Sequence, residues 1–114
     1  MPAEYTTMQD DTLTLTEGGD IDKEIRFTVP GVDTGEAANL AFRVDPSGDA
    51  TLRVRINGTT VLEQSFDTAP QRVWHENFSG SILQAGTNTL KVTKVGAGTG
   101  DLHLSDFIVH YKRV

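Results

Sequence analysis

The chain of 114 residues contains no cysteine, which rules out a disulfide framework, a thiolate metal site and a cysteine nucleophile together, and leaves the redox compartment open. Aromatic residues make up only 7%, with one tryptophan and two tyrosines, so any stacking platform for a ring-shaped ligand rests on very few side chains. Positive charge is also short: 10 Lys and Arg face 16 Asp and Glu, for a formal net charge of -6. Nucleic-acid affinity comes largely from Lys and Arg displacing counterions, so a nucleic-acid partner is not expected. Long apolar runs are missing as well. Nothing approaches the ~18 residues of a membrane span, and the opening MPAEYTTMQDD has neither the basic nor the apolar region of a signal peptide. A soluble module is expected, compatible with excision from a larger extracellular protein. No helical period is found in the central stretch from Thr51 to Thr93.

What is present is alternation. Leu13 and Leu15, then Ile25, Phe27 and Val29, then Leu40, Phe42 and Val44, then Leu52, Val54 and Ile56 each give a run one oily face. Val61 to Phe66, Trp74 to Phe78, Leu90 and Val92, and the closing DLHLSDFIVHYKRV continue the pattern. Turn clusters such as EGGD, DPSGD, NGT, QAGT and VGAGTG separate the runs at short spacing, as in all-β sandwiches and barrels. The expectation is one domain over residues 1–114: an antiparallel β-sandwich, a jelly roll of about eight to nine strands.

Two registers can be argued in advance. A two-residue Asn57-Gly58 loop would pair Ile56 with Thr59 and put Leu62 and Phe66 on the face opposite Leu52 and Val54, so a three-residue loop, Ile56 to Gly58, with a bulge beside Gly58 is expected. In the last strand, Leu102 and Leu104 differ in parity from Phe107, Val109 and Tyr111. Either a bulge lies at Ser105-Asp106 or both faces are covered there, and a central place in its sheet suits this strand. The segment from Pro30 to Asn39 is the longest polar connection and reads as a crossover between sheets or a binding loop.

The run Ile56-Asn57-Gly58, followed by Leu62 and Phe66 and then by Leu83, Gly86, Asn88 and Leu90 in SILQAGTNTLKV, resembles the galactose-binding-like jelly rolls appended to many glycoside hydrolases and polysaccharide lyases. Asp101 to Phe107 is similar to the final strand of such modules, and the similar parts cover roughly the C-terminal half. The resemblance implies a noncatalytic β-sandwich, often sugar-binding and often with a structural calcium ion, although some members bind proteins or act as spacers. Gly86 and Asn88 have an architectural reading in any protein, as a turn and a local hydrogen-bonding side chain.

Candidate ligand-binding residues are Arg53, Arg55, Trp74 and Tyr111. The arginines alternate with Leu52 and Val54 and so face outward, where a guanidinium can fork onto hydroxyls or carboxylates or merely be solvated. Trp74 alternates with Glu76 and Phe78, which suits a half-buried position as well as a platform, and Tyr5 and Tyr111 near the ends read as platform or edge packing. For calcium, the carboxylates Glu17, Asp20 and Asp22 flank Gly18 and Gly19, and modules of the resembling kind suggest Asp106 as a fourth ligand. Acidic turns are common in acidic proteins, and the EF-hand spacing is missing. No catalytic residue is assigned. His103 and Ser105 project on one face about 7 Å apart while Asp106 points away unless a bulge intervenes, so they form no ready triad, and the three histidines have no metal spacing. The expected function is carbohydrate binding by a noncatalytic module, calcium being a candidate cofactor and a glycan or polysaccharide the partner. The alternative is a structural or protein-interaction domain that docks a protein or a second copy of itself.

Overall fold

A computed structural model describes residues 3–9, 13–16, 21–67, 71–96 and 100–114. Within them the elements run β1 (Ala3–Gln9), β2 (Leu13–Leu15), β3 (Asp22–Val29), β4 (Ala37–Pro46), β5 (Ala50–Ile56), β6 (Thr59–Phe66), β7 (Arg72–Ser79), a 3-10 turn (Gly80–Ile82), β8 (Gly86–Val95) and β9 (Leu102–Lys112). They form two antiparallel sheets. One has the order β1-β9-β4-β7, with β2 also on β9, and the other has the order β3-β8-β5-β6. The architecture is the β-sandwich that the alternation implied. The connection from Pro30 to Glu36 carries the chain from one sheet to the other, as a crossover.

The inward parity of every run supplies the core. Leu40, Phe42 and Val44 from β4 meet Leu52, Val54 and Ile56 from β5, all essentially without solvent contact, and Phe42 stacks on Phe107 at 5.1 Å between ring centroids. Each fully buried side chain of this size contributes roughly 1.5–3 kcal/mol relative to exposure, which is why register is held so firmly.

The β5–β6 hairpin differs in detail from its expected form. Ile56 pairs with Thr59, so the loop has two residues, with Asn57 and Gly58 both at positive φ (51° and 84°). That torsion pair suits the right-handed twist of the strands. The bulge sits one step further on: Arg55 pairs with Thr60 and Val54 with Leu62, leaving Val61 as the extra residue. Its effect is the one the core requires, since Leu52, Val54, Leu62 and Phe66 are all buried.

Asn57 and Asn88 then lock this turn to the start of β8. Asn57 Nδ2 donates to Ile82 O (2.9 Å) and Asn88 Oδ1 (2.8 Å), and Asn57 Oδ1 accepts from the Thr89 amide (3.0 Å). Asn88, 1% exposed, donates to Gln84 O and Gly86 O and accepts from the Gln84 amide. Gly86 has φ of +95°, and no atom lies within 4 Å of where a β-carbon would stand, so backbone torsion rather than crowding explains glycine here.

Strand β9 is central, with β1 and β2 along one side and β4 along the other. Ala41 pairs with Ile108 and Arg43 with Ser105, so Asp106 and Phe107 together oppose Phe42. This is the bulge foreseen from the parity change, and Asp106 adopts a positive φ of 55° within it. The kink returns Phe107, Val109 and Tyr111 to the inner face already occupied by Leu102 and Leu104.

Candidate functional site

The two sheets expose different outer faces. On the four-stranded sheet, outward residues pair off across strands: Arg53 Nε donates to Glu63 Oε1 at 2.7 Å, Arg55 Nε to Thr60 Oγ1 at 3.3 Å, Thr51 and Ser65 hydroxyls meet at 2.9 Å, and Lys91 lies 3.7 Å from Asp22. The cross-strand registers Arg53↔Glu63, Arg55↔Thr60 and Thr51↔Ser65 place these partners side by side.

The outer face of the five-stranded sheet is built differently. Registers Tyr5↔His110, His110↔Asn39 and Asn39↔Asn77 set one row across β1, β9, β4 and β7. Tyr5 is 67% exposed, with its ring 6.0 Å from that of His110. Asn39 Nδ2 donates to Asn77 Oδ1 at 2.9 Å, and Asn39 Oδ1 lies 3.4 Å from His75 Nδ1. Two shallow concavities flank this row. One of about 210 Å³ includes Asn39, Asn77, His110 and Lys112, and one of about 400 Å³ includes Gly35, Glu36 and Ser79. Ala37 and Asn77 line both, so the two adjoin as a shallow groove.

All three histidines project from this face: His110 and His75 near the groove, and His103 at the opposite end, where its Nδ1 lies 3.1 Å from Thr14 Oγ1. Asp106 turns the other way, to Arg43 on β4 at 3.7 Å. Since β2 and β4 flank β9 on opposite sides, His103 and Asp106 are engaged in opposite directions despite the bulge. Their arrangement is structural pairing rather than a proton relay.

A larger cleft of about 510 Å³ lies at the ends of β5 and β6, lined by Asp49, Thr51, Ser65, Phe66, Asp67 and Arg72. It offers charge but no exposed ring: Phe66 is 4% exposed and sits under the Arg72 guanidinium at 5.7 Å.

The residues expected to bind ligand are not brought together. Arg53 and Arg55 face outward as expected, but on the four-stranded sheet. Trp74 belongs to β7 of the other sheet, half-buried at its edge, packed edge-on against Phe66 at 5.5 Å with Nε1 donating to Glu76 Oε1 at 3.2 Å. Tyr111 is 3% exposed and part of the core, because the Asp106 bulge rotates it inward, and it contributes to the lining of the smaller concavity between His110 and Lys112. Of the expected calcium ligands, Glu17 and Asp20 lie outside the described residues. Asp22 reaches Lys91 on the outer face of one sheet, and Asp106 reaches Arg43 on the outer face of the other, so these two do not share a site. Among the described residues no group of three His, Asp or Glu side chains is placed to hold a metal ion. Asn39, Asn77 and His110 are not among the ligand-binding residues expected from the sequence, although their outward parity is legible beside that of the core positions. The missing information was which strands are neighbours.

No protein-family model matches the chain, and no curated protein matches it in sequence. Solved structures do match in fold. The CBM36-1 domain of a multidomain xylanase from the hindgut metagenome of Trinervitermes trinervoides aligns with a TM-score of 0.61 at 13% identity, over 97% of this chain and 99% of that one. A CBM36 carbohydrate-binding module in complex with calcium and xylotriose aligns with a TM-score of 0.56 at 17% identity, over 95% and 98%. Dimeric latent PorU from Porphyromonas gingivalis gives a TM-score of 0.68 at 11% identity over 95% of this chain, which spans only 12% of the PorU chain. The fold is therefore a two-sheet β-sandwich shared with these carbohydrate-binding-module structures. No helix among the described residues is long and apolar enough to cross a membrane.

Proposed function

We propose that residues 1–114 form one noncatalytic carbohydrate-binding module that holds a saccharide along the outer face of the five-stranded sheet. The observation that carries this reading is the row Tyr5, His110, Asn39 and Asn77, an exposed aromatic ring continued by planar polar side chains beside a groove. A pyranose has an apolar C–H face and a rim of hydroxyls. A tyrosine ring suits the first, and amides that both donate and accept suit the second. The fold likeness to modules named for carbohydrate binding, over nearly their whole length, supports the same reading. Calcium enters this reading through Glu17 and Asp20, which lie outside the described residues, since Asp22 and Asp106 lie beside Lys91 and Arg43 on different sheets.

A second reading, a structural or protein-interaction domain, draws on the edge strand β7, whose Val73 is 54% exposed on the same face. Binding to a glycan panel, with calcium and with a chelator, separates the two. The carbohydrate reading predicts binding that weakens about tenfold in Tyr5→Ala or Asn77→Ala, a size typical of losing one stacking or hydrogen-bonding contact. A blank panel in both buffers, together with concentration-dependent self-association, would favour the second.

A further inference from the structure

We infer that the saccharide site continues along β4 to a second subsite formed by Asp45, Gln71, His103 and Ser105, so that several linked sugars of a polysaccharide fill it and a disaccharide fills only part. This inference rests on the carbohydrate-binding reading and adds a ligand length to it. Its ground is a further concavity of about 310 Å³ lined by those four side chains. They lie on the same outer face as the Tyr5 row: Asp45 follows buried Val44, and His103 and Ser105 flank buried Leu104. Registers Asp45↔His103 and Val44↔Arg72 set Asp45 between His103 on β9 and Gln71 just before β7.

The two ends of the face are alike in kind. Asn39, Asn77 and His110 stand at one, and Gln71 and His103 stand at the other beside a hydroxyl and a carboxylate. Such groups donate to and accept from sugar hydroxyls. Asn39 and Asp45 are six positions apart on β4, which at the rise of an extended strand is about 20 Å. One pyranose cannot touch both, whereas several linked ones can.

The residues between the two ends suit a continuous path. Ala41, with Ile108 opposite it on β9 and His75 on β7, is short and 7% exposed. Arg43, the next outward residue, is held from both sides: its Nη2 donates to Gln71 Oε1 at 3.4 Å, and its Nε lies 3.7 Å from Asp106 Oδ2. Because β9 and β7 flank β4 on opposite sides, these contacts hold the guanidinium over β4, between the two concavities. A guanidinium has five N–H donors, more than these two contacts use, and the others are available to sugars that cross from one end to the other.

The test is equilibrium binding of the 114-residue protein to the di-, tetra- and hexasaccharides of xylan, cellulose, galactan and polygalacturonate. In the series that binds, the hexasaccharide should bind about tenfold more tightly than the disaccharide, in line with one or two added hydrogen bonds. A disaccharide settles on the exposed Tyr5 ring, so Asn77→Ala should weaken every length. The double variant Asp45→Ala/Gln71→Ala should weaken the hexasaccharide about five- to tenfold, leave the disaccharide unchanged and, both residues being exposed, keep the unfolding midpoint of wild type. Equal affinity for every length, or a hexasaccharide indifferent to the double variant, would overturn the extended site and leave carbohydrate binding standing. Binding to none of the series and to no other glycan would overturn both.

Discussion

The outer faces of the two sheets are made from similar kinds of polar side chains but use them in opposite ways. On the four-stranded sheet, donors and acceptors sit directly opposite one another: Arg53 with Glu63, Arg55 with Thr60, Thr51 with Ser65. Much of the hydrogen bonding is directed within the sheet, and the cross-strand pairs stabilise the face on which they lie. On the five-stranded sheet the row through Asn39 and Asn77 makes one internal hydrogen bond, and an exposed ring and an imidazole stand beside it. A face that leaves planar polar groups and a ring to solvent is better prepared for a ligand than one whose charges already neutralise each other.

The largest expected effect strikes the scaffold that both faces share. Asn88→Ala would leave the Gln84 amide and carbonyl and the Gly86 carbonyl without their side-chain partner and would take one acceptor from Asn57, at a cost of about 3 kcal/mol for buried unpaired groups, measurable by urea unfolding. Both faces should then weaken together. Asp106→Val comes next: a β-branched residue at φ of 55° should cost about 1–2 kcal/mol, while Asp106→Gly, which tolerates that torsion, should cost less than Asp106→Val. Because the bulge re-aims only the five-stranded sheet, this change should disturb the groove and spare the other face.

On the faces themselves, Asn77→Ala should lower glycan affinity about tenfold, roughly 1.4 kcal/mol, with little change in unfolding midpoint because Asn77 lies on an outer face. Arg53→Ala should do the reverse on a smaller scale. Its pair with Glu63 is solvent-accessible, with side-chain exposures of 31% and 49%, so a loss of under about 1 kcal/mol in stability is expected, with glycan affinity unchanged.

Much of the fold was legible in the sequence because burial imposes a period of two. The parity change between Leu104 and Phe107 announced the bulge, and the parity of Leu62 and Phe66 announced that of the hairpin, though its position one pair beyond the turn depended on Asn57 accepting a left-handed torsion. Strand β1 was not anticipated, because AEYTTMQ has no oily alternation and forms a strand by pairing with β9. The site was less legible for a related reason. Parity says that Arg53 and His110 both point outward, but only the strand order puts His110 beside Tyr5 and Asn39 and puts Trp74 on a different sheet from the arginines. Tyr111 shows the same limit: one extra residue at the bulge decides whether it is a platform or core.

The contrast between the faces is tested most directly by titrating the tightest-binding glycan of a broad panel into the wild-type protein, Asn77→Ala and the double variant Arg53→Ala/Arg55→Ala. Loss of affinity in Asn77→Ala alone, with the double variant matching wild type, is the predicted result. Unchanged affinity in Asn77→Ala with loss in the arginine variant would contradict it and move the site to the opposite sheet.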